Sequence, residues 1–245
     1  MIGNQYGRPF ILPYLLLIHH TLFYTTAMNF TPARSLLIML TFFISPVYAA
    51  ETGSSHNLFI LNKLDDDSSL VFRANMVTRD GFSDAFFGYV DANYRKALTG
   101  PWTVEAGYRQ AFLKLGDQWR EEYRPMFSLY WRDKLWGGKF SNRHRLEFRY
   151  FEGDAQDRLR YRNESVWTSN KTITDYHLTP FVEEEFFYDI TGNELNVNWI
   201  TLGVSKTWAK GKKWKLGYRL QSQKFNGEWE NRHMLVTGIS LFLFD

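Results

Sequence analysis

The stretch "NRHRLEFRY", residues 142–150, decides how the chain is read. Arg143, Arg145, Glu147 and Arg149 share one face, and His144, Leu146, Phe148 and Tyr150 share the other, the period of two that a pleated strand imposes. One face is almost wholly charged. In a sheet bathed in water that face would meet solvent and the apolar one a core, whereas in a closed sheet set in lipid the two faces change places. The stretch alone does not choose, so the choice rests on the sequence around it.

A chain of 245 residues accommodates one large domain or two small ones, and an all-β barrel can use that length as one unit. Hydrophobic residues are 44% and aromatic residues 18%, a composition that excludes disorder. The formal charge is +3, but the first 49 residues hold Arg8 and Arg34 and no acid, so the rest is near neutral, with 27 basic against 26 acidic residues. That balance gives no argument for a nucleic-acid partner. Cysteine is absent, which removes disulfides, thiolate metal sites and cysteine nucleophiles together.

Residues 28–49, "MNFTPARSLLIMLTFFISPVYA", have a short region with Arg34, an apolar run from Leu36 to Ile44 and small residues at Val47 and Ala49. This is the pattern of a secretory signal cut after Ala49 or Ala50, with Met28 as the expected start. The apolar run is shorter than the ~20 residues of a helical membrane span. The expected organisation is an extension and signal over 1–49, a tail over 50–68 and a barrel over 69–245. Such a chain is exported, and in a membrane it must sit as strands.

Alternating runs separated by turn clusters recur at about 84–97, 102–114, 119–133, 139–151, 157–168, 172–189, 196–208, 213–224 and 229–244. Helical period is missing. Eight tryptophans, Trp102, Trp119, Trp131, Trp136, Trp167, Trp208, Trp214 and Trp229, fall near run ends, where a bilayer interface would place them as girdles. Taken alternately, the turns "KALTGP", "DKLWGGK", "TSNK" and "AKGKK" are basic, and "LGDQ", "EGDAQD", "DITGNE" and "FNGE" are acidic. Single-chain bacterial barrels normally have an even strand count with both termini in the periplasm, so residues 69–77, "SLVFRANMV", supply a tenth strand. The expected fold is an all-β, single antiparallel up-and-down transmembrane barrel of about ten strands, with twelve as the alternative. Its basic turns would face the periplasm. Leu146 and Phe148 would then face hydrocarbon and Arg145 the lumen, because in lipid only a closed sheet pairs every backbone group.

The segments "FGYVDANYRKALTGPWTVEAGYRQ", "NRHRLEFRY", "RLRYRNESVW", "PFVEEEFFYD", "ITLGVSKTW" and "RHMLVTGISLFLF" resemble the Gram-negative family called domain of unknown function 2490, predicted outer-membrane barrels. The likeness covers most of residues 84–244 and is carried most closely by Pro180 with Glu185, Phe187, Tyr188 and Asp189, by Leu202 with Gly203, and by His233. It implies a barrel in the outer membrane, with lipid and lipopolysaccharide around it and the barrel insertion machinery as an assembly partner. It implies no activity and no catalytic residue. Outer-membrane proteins usually finish on an aromatic residue, whereas here Phe244 is followed by Asp245.

The faces assigned to the lumen carry Arg95, Arg109, Arg120, Arg124, Arg143, Arg145, Arg149, Arg158, Arg160, Arg162, Lys215 and Arg219. Against them stand Asp91, Glu105, Glu122, Glu147, Glu164, Glu183 and Glu185. A barrel of ~10 strands is only a little wider than the ~8-strand case that side chains just fill, so Arg can close it by pairing with Glu on neighbouring strands. A structural plug is one reading. A narrow path for small anionic solutes such as acidic sugars is another, with the Arg excess on residues 143–162 as a ladder. A rim-located lipid hydrolase or a soluble lipocalin-like binder is the third, but no spacing unites His144, His177 and His233 with a serine and an acid. Asp65, Asp66 and Asp67 lack the Gly and distal Glu of a calcium loop and read as a polar turn. No motif calls for a cofactor, a metal or nucleic acid.

Overall fold

The computed structural model describes residues 51–153, 156–225 and 227–243. The expected signal segment, Phe244 and Asp245 lie outside the described residues. Eleven strands follow one another: β1 Glu51–Lys63, β2 Ser68–Arg79, β3 Asp84–Ala97, β4 Trp102–Leu115, β5 Gln118–Leu135, β6 Gly138–Phe151, β7 Arg158–Ser169, β8 Thr179–Asp189, β9 Glu194–Ala209, β10 Lys212–Phe225 and β11 Glu228–Leu243. Each pairs with the next, and β1 pairs with β11 to close the barrel. Nine of the ten expected strands reappear within a few residues. The run expected over 172–189 is shorter, because residues 170–178 form a loop pinned by an Ile173↔Leu178 bridge and β8 begins at Thr179.

Two expectations are corrected. Residues 51–63, expected as part of a tail, are a full strand, which makes the count eleven rather than ten. The odd count then forces the closing pair to run parallel, from Glu51↔Arg232 to Asn62↔Leu243, while the other pairs are antiparallel. An odd number of alternating strands brings the first and last to the seam pointing the same way, so no antiparallel closure is available to them. The start of β1 and the finish of β11 therefore lie at opposite ends.

One end of the barrel carries the turns after β1, β3, β5, β7 and β9. Trp102, Trp131, Trp136, Trp167, Trp208 and Trp214 lie at or near it, against Trp119 and Trp229 at the other, so we call it the Trp-rich end. Lysines lie in or beside its turns, but the first, Leu64 to Asp67, sets three carboxylates there and the β7–β8 loop balances Lys171 with Asp175. Asp65 holds that turn together: its Oδ1 accepts from the backbone N–H groups of Asp67 and Ser68 at 2.8 and 2.7 Å. These donors, with the Ser68 hydroxyl, keep the Asp65 carboxyl below its ordinary range. The β5–β6 turn is Trp136-Gly137, with φ of 50° and 69°, the double left-handed geometry that fits the twist of a two-residue hairpin.

The barrel interior is not wide enough for a side chain at every position. Gly203 on β9 stands opposite Gly217 on β10, and the Phe181 ring of β8 covers both. A Cβ on Gly203 would lie 2.3 Å from the Leu216 carbonyl oxygen and 2.7 Å from the Phe181 ring. Gly203→Val should therefore lower the stability of the folded barrel by about 1–3 kcal/mol, read as an earlier urea midpoint in reconstituted protein.

Candidate functional site

The sheet alternation sorts the chain into two surfaces with opposite chemistry. Arg145 and Glu147 are 1% and 0% exposed, whereas their neighbours Leu146 and Phe148 are 37% and 42% exposed. The same holds around the wall. Phe72, Val90, Tyr108, Phe127, Ile200, Leu216 and Leu235 are exposed outward, and Glu105, Arg109, Arg124, Glu185 and Arg219 are buried within. Rolling the sheet thus encloses the charged face and displays the apolar one.

Register then determines who pairs with whom. On β6 and β7, Arg145 stands directly opposite Arg162, a like-charge pair that needs an acid between them. Glu147 supplies it. Its Oε1 accepts from Arg162 at 2.8 Å, and its Oε2 accepts Nε and Nη2 of Arg160 at 2.9 and 2.5 Å. Arg162 turns its other edge to Glu185 on β8, at 3.0 and 2.7 Å, and Arg143 reaches the same Glu185 oxygen at 2.9 Å. Glu164 lies 3.1 Å from Arg143. Such two-pronged contacts use the planar fork of Arg.

A second hub is Glu105 on β4. It accepts from Arg73 at 2.9 and 2.8 Å, from Arg95 at 3.0 and 2.7 Å and from the Tyr130 hydroxyl at 3.0 Å. Arg145 approaches it at 3.4 Å and so links the two hubs. Asp91 receives Arg109 at 3.0 and 2.6 Å and Arg73 at 3.2 Å. Glu122 is gripped by Arg124 from its own strand and by Arg149 of β6, each with 2.5 Å contacts. Glu183 takes Arg219 at 2.8 Å and Lys215 at 3.4 Å. Aromatic rings fill the gaps: Arg109 lies 3.6 Å from the Tyr89 centroid, Arg162 4.2 Å from Phe187, and Arg219 4.1 Å from Trp199.

Seventeen of the nineteen residues assigned to the lumen from the sequence thus meet inside, and two stand apart. Arg120 is exposed at the end opposite the Trp-rich one and makes no ion pair among the described residues. Arg158 is half-exposed at that end and pairs with the buried Asp189 at 3.0 Å. Sequence reasoning missed Arg73, Tyr130 and Asp189. Arg73 was legible in the alternation of Val71, Arg73 and Asn75, whereas Tyr130 was hidden by the expectation that aromatic residues face outward.

The network does not fill the barrel. A cavity of about 500 Å³ remains, lined by eleven Arg and Lys side chains and four Glu. Two guanidiniums at its wall are short of partners. Arg143 Nε is buried without a hydrogen bond, and the carboxylates nearest Arg145 lie at 3.4 and 3.9 Å. The histidines lie elsewhere. His144 faces outward, where its Nδ1 meets the Tyr161 hydroxyl at 2.6 Å; His177 is in the β7–β8 loop; His233 is bonded to Tyr218 on the outer wall. Ser165, near His144 on that wall, accepts from Asn142 at 2.9 Å instead. Among the described residues no three His, Asp or Glu groups are placed to hold a metal ion.

Searches of curated proteins and of solved structures return no match. A family model does match, over residues 53–232, under the description protein of unknown function, DUF2490. The matched span opens in β1 and ends in β11, so it takes in the seam and every hub of the lumen. The chain, a closed barrel with buried Arg and Glu paired inside it, belongs to the DUF2490 family.

Proposed function

We propose that the chain is an outer-membrane barrel of Gram-negative bacteria with a structural role in the envelope, closed along its axis by its own Arg/Glu network. The observation that carries this reading is the inversion of the two faces, with buried guanidiniums inside and exposed Phe, Leu, Ile and Val outside. A water-soluble lipocalin-like barrel would turn those faces the other way. Strand length agrees, since the shortest strand has 11 residues and ~9–11 residues cross a bilayer. Six Trp near one end fit an interfacial girdle. Outer-membrane lipid and lipopolysaccharide would contact the wall, the barrel insertion machinery would assemble it, and the Trp-rich end, where β11 finishes, would face the periplasm.

A second reading, passage of small anionic solutes, is favoured by one specific observation. The cavity is lined by far more cations than carboxylates. The two readings part in a planar bilayer: a closed lumen gives no steady conductance, and an anion path gives a conductance whose selectivity is reversed or lost when Arg145 and Arg160 become Glu.

Membrane placement itself is checked by flotation. The mature chain should rise with phospholipid vesicles and resist extraction by alkaline carbonate, and recovery in detergent-free buffer would end the membrane reading. The plug is checked by stability. Glu147→Gln leaves Arg160 and Arg162 without their shared charge and should cost roughly 3–5 kcal/mol in urea unfolding from vesicles. Glu152→Gln, exposed in the β6–β7 turn, should change stability by less than about 0.5 kcal/mol.

A further inference from the structure

The cations that outnumber carboxylates in the lumen gather toward one end. Around Tyr130 the barrel assembles guanidiniums from four strands. Arg73 and Arg95 donate to its hydroxyl at 3.2 and 3.4 Å, and Arg95 and Arg132 lie 4.9 and 4.8 Å from its ring centroid. Arg143 stands directly opposite Tyr130 in the β5–β6 register, and Arg145 stands opposite Ser128, to whose hydroxyl it donates at 3.0 Å. Glu105 is the buried acid at the centre, already engaged by Arg73, Arg95 and the Tyr130 hydroxyl. Glu164 and Glu185 each offer one further contact, to Arg143.

Five guanidiniums therefore draw on Glu105, Glu164 and a Glu185 that is shared with Arg162, with Asp91 taking part of Arg73. Arg132 makes no ion pair among the described residues, Arg143 keeps a buried Nε without an acceptor, and the buried Arg145 has its nearest carboxylate oxygen, on Glu105, at 3.4 Å. Buried charge without a counter-charge is costly. Arg132 sits close to the finish of β5 at the Trp-rich end, and Lys139 and Lys213 share the inward faces of their strands just inside that end, again without ion pairs among the described residues. Beyond the cluster stand the Glu147 and Glu122 hubs, where each carboxylate is held by two or more Arg.

We propose that the Tyr130 cluster is a binding site for one small dianionic oxyanion of the phosphate type, free or carried on a small solute, which enters from the Trp-rich end and supplies the missing acceptors. Three of the five Arg forks are undersupplied, and a tetrahedral dianion offers several acceptor oxygens at once. Lysines at the mouth raise the local concentration of such an anion. The site deepens the anion reading given above and rests on its lumen, but it requires neither conductance nor a particular membrane.

The test is calorimetric titration of the detergent-solubilised full barrel with inorganic phosphate, and separately with a hexose phosphate, at constant chloride. One saturable site is expected. Tighter binding of the hexose phosphate assigns the solute-borne form, and equal or weaker binding assigns free phosphate. Arg145→Gln and Arg132→Gln should each weaken binding by about tenfold or more. Arg132 is exposed and holds no carboxylate, so its variant keeps the fold even if Arg145→Gln does not. Arg158→Gln, at the far end, should bind within about twofold of the parent. No saturable heat, or the same loss in all three variants, overturns the site. Binding by a barrel that conducts nothing keeps the site and ends the passage reading, whereas conductance without saturable binding does the reverse.

Discussion

A guanidinium sealed inside a sheet must find its counter-charge there, because it cannot be neutralised by losing its proton and has no bulk water to turn to. That constraint governs the barrel. Once alternation and closure enclose one face, most Arg on it meet a carboxylate, chiefly from another strand, which ties the register of β2 through β8 to the positions of Glu105, Glu147 and Glu185. A shift by one residue would send every one of these charges to the outer wall. The network is therefore less a source of net stability than a specification of which strands lie beside which.

The seam carries a different chemistry. β1 and β11 meet in parallel, and their outward faces include polar side chains that satisfy one another: Ser54 bonds His56 at 2.8 Å, and His56 bonds Thr237 at 2.8 Å. Elsewhere on the outer wall the polar residues are also paired across strands, Asn142 to Ser165 at 2.9 Å and Asn198 to Glu184 at 2.7 Å. In the membrane setting proposed above, such pairing would be the remaining way to meet the hydrogen-bonding needs of these groups, since lipid offers no donor or acceptor.

Most strands were legible because their two faces differ sharply. In β6 and β10 the character alternates from residue to residue, and turn residues such as Gly137, Gly192 and Gly211 mark where runs stop. β1 was not. In "ETGSSHNLFILNK" the first half is polar on both faces and Leu58 to Leu61 are apolar on both, so no period of two stands out. The inward aromatics Phe181, Phe187, Trp199 and Tyr130 escaped for a related reason. Alternation tells which face a residue shares, but not that a ring on the charged face will cover a pair of glycines or stack beneath a guanidinium.

By itself the sequence determined that the chain is a closed all-β structure with one charged and one apolar face, since period-two alternation over ten runs is a local property and survives without any knowledge of partners. It also assigned most of the acids and bases of the enclosed face, though not Arg73 or Asp189. The number of strands, the parallel closure and the pairing within the lumen were decided only in three dimensions. Those depend on which edges meet and on how far the sheet must curl before they do, and no short window of residues contains that distance.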